Sequence, residues 1–133
     1  MTEIDGVLFK EIVEQGLREF PNECCGIIAA DADDRPVKVF AARNIDASPA
    51  TYRLDGIDQL RISEEIDERG WKTWGFYHSH THSEAYPSKT DRDQAFYPET
   101  RYLILSLQDR DEPVLRSFFL EDGGVEEEEL TIA

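Results

Sequence analysis

Residues 72–80, "KTWGFYHSH", constrain the fold more than any other stretch of the chain. Aromatic side chains favour a pleated strand, and this run ends in two histidines two positions apart. In a strand, residues i and i+2 share a face. His78 and His80 therefore project together from one end of one strand. With His82 they are all the histidines of the chain.

Around this strand the sequence alternates between helical and extended patterns. "VLFKEIVEQGLREFP" repeats Leu8, Ile12, Val13 and Leu17 at helical spacing, and Pro21 closes it. "ECCGIIAAD" is small and apolar, as a buried strand requires, and "PVKVFAARNI" follows as its neighbour through the turn "DADDRP". "SPATYRLD" is expected to be an extended connection. "DGIDQLRISEEIDERG" predicts a second helix, with Ile57, Leu60, Ile62 and Ile66 apolar and Gly70 near its C-terminus. Beyond the histidines, "THSEAYP" reads as a loop and "SKTDRDQAFY" as a short helix opened by Ser88. "RYLILSLQ" and "VLRSFFLE" predict two strands, "DGG" a turn and "VEEEELTI" a last, edge-like strand. The expectation is an α/β fold, a β-sheet with helices packed on it, in a single domain over residues 1–133.

The chain carries 29 acidic and 14 basic side chains, a formal net charge of −15. Such a surface repels nucleic-acid phosphates and anionic lipid, so neither is expected as a partner. Apolar runs such as Tyr102 to Leu105 are short, so no membrane span is expected. The opening "MTEIDGVLFK" lacks the basic and apolar regions of a signal peptide, and the expected location is the cytoplasm. Cys24 and Cys25 are adjacent and could pair only in strained geometry, so no disulfide framework is expected.

Two converging imidazoles suit one metal ion. A catalytic zinc typically takes three protein ligands and keeps a position for water. His82 continues the alternation but lies farther along and splays away. Asp91, returned by the loop and a helical turn, is the better third ligand, and a His, His, Asp set suits zinc. Other readings stand beside this one. A histidine-rich loop can be a solvated turn. "SKTD" is also a capping-box-like helix start, in which Ser88 bonds the backbone N–H of Asp91. One carboxylate oxygen is not expected to cap and ligate equally well. Cys24 or Cys25 with a histidine base would make a cysteine hydrolase, although alternation sends the two thiols to opposite faces and a small buried thiol is the commoner role. A zinc deaminase needs a "P-C-x-x-C" ligand pair, which this sequence lacks.

The complete spacing resembles a known signature. His78, Ser79, His80, seven residues, Ser88, two residues and Asp91 match the JAMM metalloprotease motif of the MPN domain family. "SPATYRLDGIDQL", "YHSHTHSEAYPSKTD" and "LRSFFLEDGGVEEE" look like the small bacterial branch of that family, over residues 7–128. The resemblance implies an MPN domain with a mixed sheet, in a fold related to that of the deaminases. It implies one zinc ion on His78, His80 and Asp91, Glu23 as general base, and Ser88 as donor to the oxyanion. It also implies hydrolysis of the amide after the C-terminal diglycine of a ubiquitin-like sulfur carrier protein, releasing L-cysteine in cysteine biosynthesis. The chain lacks the long insertions of the polyubiquitin-cleaving members. The alternatives are a processing enzyme for another ubiquitin-like protein and a non-catalytic MPN scaffold, which usually lacks one or more of these residues. For the substrate, Arg53 and Lys89 are the cations that could meet the product carboxylate, and Tyr52 and Tyr86 could line the groove.

Overall fold

In the computed structural model, which describes residues 2–133, the chain runs through β1 (Thr2–Ile4), α1 (Gly6–Glu19), β2 (Cys25–Ala30), β3 (Pro36–Ala42) and α2 (Gly56–Glu68). It continues through β4 (Lys72–His80), α3 (Lys89–Asp93), β5 (Arg101–Ser106), β6 (Val114–Glu121), β7 (Gly124–Glu128) and β8 (Leu130–Ile132). Six strands form one mixed sheet in the order β3-β2-β4-β5-β6-β7. Its aromatic strand, β4, lies inside the sheet and is covered on both faces, which is why the sequence there is not a simple apolar–polar alternation. Only β4 and β5 run parallel within this sheet. Parallel neighbours need a crossover, and residues 81–100 supply it, carrying α3 past the end of β4.

Alternation along each strand builds two apolar layers. Ile28, Trp74, Tyr77, Leu103 and Leu105 pack with Leu8 and Ile12 of α1. Ile27, Ala29 and Phe40 pack with Ile62 and Ile66 of α2 on the other face. Full burial of Ile12 contributes roughly 1.5–3 kcal/mol, so α1 is held by its docked face rather than by propensity alone. Asp5 caps α1 by accepting the Val7 N–H at 2.6 Å. Gly70, at φ +68°, ends α2 in the left-handed conformation that glycine adopts without a Cβ clash. Gly26 is required for a different reason: a Cβ there would overlap the Tyr77 hydroxyl and the Phe40 carbonyl oxygen.

Three expectations are corrected. Leu17 is exposed, and Gln15 takes the inward position on α1. Its Nε2 donates to the Cys25 carbonyl at 2.9 Å and its Oε1 accepts from the Tyr77 hydroxyl, so the buried amide is satisfied. On α2 only Ile62 and Ile66 face the sheet, while Ile57 and Leu60 point to solvent. The run "VEEEELTI" is two strands, not one. Glu128 accepts from Arg101 Nε (2.6 Å), Ser117 Oγ (2.7 Å) and Thr2 Oγ1 (2.9 Å), after which β8 pairs in parallel with β1 in a separate two-stranded sheet. The second half of "SPATYRLD" is extended, as expected, and pairs back on the end of β3. The chain doubles back so that Asn44 bridges Leu54, Ile45 N–H donates to the Arg53 carbonyl and Asp55 N–H to the Arg43 carbonyl, both at 2.9 Å. Among the described residues, no helix is long and apolar enough to cross a membrane.

Candidate metal centre and active site

The ladder between β2 and β4 sets the geometry. Cys25 pairs with His78, and Ser79 N–H donates to the Cys24 carbonyl at 3.0 Å. Continued past its last pair, the same antiparallel register sets Glu23 opposite His80, and both His80 and Asp91 act on its charge. Residues paired across strands share a face. Glu23, His78 and His80 therefore lie on the α2 side of the sheet, at its end. Ser79 points to the other face, where its hydroxyl accepts the Cys24 N–H at 2.8 Å and locks β2 to β4.

Asp91 arrives from the crossover, in the first turn of α3. Its Oδ2 lies 3.0 Å from His80 Nε2 and 3.2 Å from His78 Nε2, and the two nitrogens are 3.2 Å apart. Zinc bonds of about 2.0–2.1 Å in a tetrahedron place neighbouring ligand atoms about 3.3 Å apart, so these three atoms fit one ion. His80 Nδ1 lies 2.8 Å from the Glu84 carbonyl, which assigns the Nδ1 proton there and leaves Nε2 with its lone pair. His82 is exposed, beside Thr81 Oγ1 at 2.9 Å, and stays outside this cluster.

Capping and convergence turn out to use the same oxygen. Ser88 Oγ accepts the Asp91 N–H at 3.1 Å, and Asp91 Oδ2 accepts the Ser88 N–H at 2.9 Å, a complete capping box. The oxygen that caps α3 is thus the one that lies against both histidines. The cap aims Oδ2 at the histidines.

Electrostatics match the arrangement. Burial holds His78 below its ordinary pKa, in spite of Asp91, so the ring stays neutral as a ligand must. At His80 burial acts downward, but the hydrogen bonds to Asp91 and the Glu84 carbonyl outweigh it and raise the pKa. Burial also pushes Asp91 upward, yet its bonds to His78 and His80 hold it far below the carboxylate range. Glu23, only 4% exposed, is pushed by burial to about 8, with His80 pulling down and Asp91 pushing up. A carboxyl near neutrality can both take and return a proton.

The remaining candidates divide. Tyr52 stacks on His78, ring centroids 4.2 Å apart and planes at 18°. With Arg53, Leu54, Phe76, Phe96 and Tyr97 it lines a cavity of about 400 Å³ beside the histidines. Lys89 instead pairs with Asp93 at 2.7 Å, and Tyr86 packs edge-on against Phe118. Cys24 and Cys25 are free, fully buried and in opposite apolar layers. Burial pushes the Cys24 thiol up to about 12 and the Cys25 thiol higher still, so neither supplies a thiolate for a cysteine hydrolase. Sequence reasoning missed Asn44 and the Glu84 carbonyl; an Asn just past a strand is a turn signal, but its partners are set by the loop's closure.

Known proteins resemble this chain along most of its length. The profile of prokaryotic homologs of the JAB domain matches residues 6–121. The CysO-cysteine peptidase of Mycobacterium tuberculosis is 36% identical over 126 residues, 94% of this chain and 86% of that protein. The desampylase of Haloferax volcanii is 42% identical over 88 residues, 65% of this chain and 63% of that protein. A protein of Desulfitobacterium hafniense, solved in solution, superposes with a TM-score of 0.90 at 34% identity, covering 100% of this chain and 93% of that one. A JAB1/MPN domain protein of Archaeoglobus fulgidus shares the fold, with a TM-score of 0.63 at 18% identity over 99% of this chain and 98% of that one. The chain therefore belongs to the JAB/MPN family, in its prokaryotic branch, and is a JAMM-type peptidase.

Proposed function

We propose that this peptidase is zinc-dependent and cleaves the amide after the C-terminal diglycine of a ubiquitin-like sulfur carrier, releasing L-cysteine in the cytoplasm. The observation that carries the reading is the convergence of His78, His80 and Asp91 on one point, on the sheet face that also bears Glu23. When bound there, zinc lowers the pKa of a coordinated water and polarises a carbonyl. Glu23 takes the proton of the attacking water and returns it to the departing amine. Its carboxyl, raised to about 8 by burial, suits both steps. The Ser88 oxygen already accepts from Asp91 N–H, so its own proton is left to donate to the oxyanion, an interaction typically of about 3 kcal/mol. We assign to Arg53 the contact with the carboxylate of the amino acid released; the support is that it lines the cavity beside Tyr52.

The sulfur-carrier reading is supported by the likeness to the CysO-cysteine peptidase over nearly the whole chain. A second reading, removal of another ubiquitin-like modifier, is supported by the likeness to the desampylase, whose name marks a different conjugate. The test is direct. Metal content is measured on the purified protein, which is then mixed with a diglycine-ended carrier bearing a C-terminal cysteine, with and without chelator. One zinc per chain and chelator-sensitive release of cysteine support the first reading. Zinc with release only from lysine conjugates supports the second. Absence of zinc after reconstitution refutes both.

A further inference from the structure

Asn44, just past β3, is 6% exposed, and its amide makes four hydrogen bonds. Nδ2 donates to the carbonyls of Glu23 and Thr51, each at 3.1 Å. Oδ1 accepts the backbone N–H groups of Asp46 at 3.0 Å and Arg53 at 2.9 Å. That uses both donors and both lone pairs of a primary amide. The loop it ties, residues 44–54, touches the active site at three places. The Ser48 carbonyl accepts the Glu23 N–H at 2.8 Å. The Tyr52 ring lies on His78. The Pro49 carbonyl accepts the Thr81 hydroxyl at 3.0 Å, next to His80.

We propose that Asn44 is a positioning residue for the reaction, fixing the backbone of Glu23 relative to the His78 ring beneath Tyr52. The inference rests on the reading of Glu23 as the general base. Glu23 lies beyond the last paired residue of β2, and its N–H and its carbonyl are both gripped by this one loop. Removing the amide frees two carbonyls and two N–H groups at once, and the loop and the base move independently. A displacement on the order of 1 Å in a catalytic group costs about a hundredfold in rate.

The experiment compares the full-length Asn44→Ala, Asn44→Asp and Glu23→Gln variants with wild type. Turnover is followed on a diglycine-ended carrier amide-linked to cysteine, zinc by elemental analysis, and backbone order by amide hydrogen exchange. Expected for Asn44→Ala is full zinc, retained protection in β2 and β4, and faster exchange at the Glu23 and Arg53 amides. Its kcat falls roughly ten- to a hundredfold, with KM within about threefold of wild type. Asn44→Asp keeps the acceptor for Arg53 N–H and loses the donors, so it protects Arg53 and still loses kcat. Wild-type kcat in Asn44→Ala beside an inactive Glu23→Gln overturns the proposal. So does unchanged exchange at Glu23, whatever the carrier. Loss of zinc together with protection throughout β2 and β4 overturns it in favour of a general structural role. An active Glu23→Gln refutes the base assignment instead, which is a separate failure.

Discussion

Replacing Glu23 by glutamine should stabilise the metal-free protein while abolishing turnover. The two side chains are nearly isosteric, so packing at this buried position is kept. Burial raises the carboxyl from 4.5 in the unfolded chain to about 8 in the folded one. Between those values the unfolded chain has released the proton and the folded chain still holds it. Wild-type stability therefore falls as pH rises through this window and levels off above the folded value. At about 1.4 kcal/mol per pKa unit, the shift amounts to about 5 kcal/mol above pH 8 and about 1 kcal/mol at pH 5. The glutamine variant has no such slope. Urea unfolding of both proteins in chelator, at pH 5, 7 and 9, should show a stability gap that widens by several kcal/mol in favour of the variant. Added zinc should narrow the gap, because a nearby cation favours the carboxylate. A gap that stays flat from pH 5 to 9 would refute the reasoning, since it would mean that Glu23 ionises as freely folded as unfolded.

Three further outcomes are expected. Asp91→Ala should lose stoichiometric zinc in a chelator competition, while its stability drops by only about 0.5–2 kcal/mol, the worth of a cap; retained zinc would remove Asp91 from the ligand set. Ser88→Ala should keep zinc and lose about 10²–10³ in kcat, measured on the carrier substrate, and an unchanged kcat would leave Ser88 with its capping role alone. Alkylating reagents at pH 8 should leave the native protein unmodified by mass spectrometry and fully active, because both thiols are buried and protonated there. Inactivation by such reagents would bring the cysteine mechanism back.

What the sequence displayed well was anything encoded by residue type along one element. β4 could be read from end to end because its aromatic residues and its histidines occupy one strand. The histidine, serine and aspartate spacing was equally plain, and so was the helix start at Ser88. What it concealed depends on partners distant along the chain. Helical periodicity selects Leu17, Ile57 and Leu60 as readily as Ile12 and Ile62, and only the docked sheet decides which are covered. Gln15 turns inward because Tyr77 and the Cys25 carbonyl await it, and no local pattern records them. The short strand pairing of β1 with β8 has too few residues for a period of two to show. The arrangement at Asp91 was hidden for a similar reason. A carboxylate oxygen can accept more than once, and only the position of α3 over the end of β4 reveals that the cap and the histidines meet at the same Asp91 oxygen.

The parallel pairing of β4 with β5 has an evolutionary corollary. Because the two strands point the same way, the chain must travel back along the sheet between them, and residues 81–100 make that journey, bringing Asp91 to the histidines. Extra residues accepted in its exposed stretch after α3, residues 94–99, would lengthen a surface excursion without disturbing a single ladder of the sheet. Descendants of such a chain can thus grow this one segment while the histidine-bearing strand beside it stays unaltered.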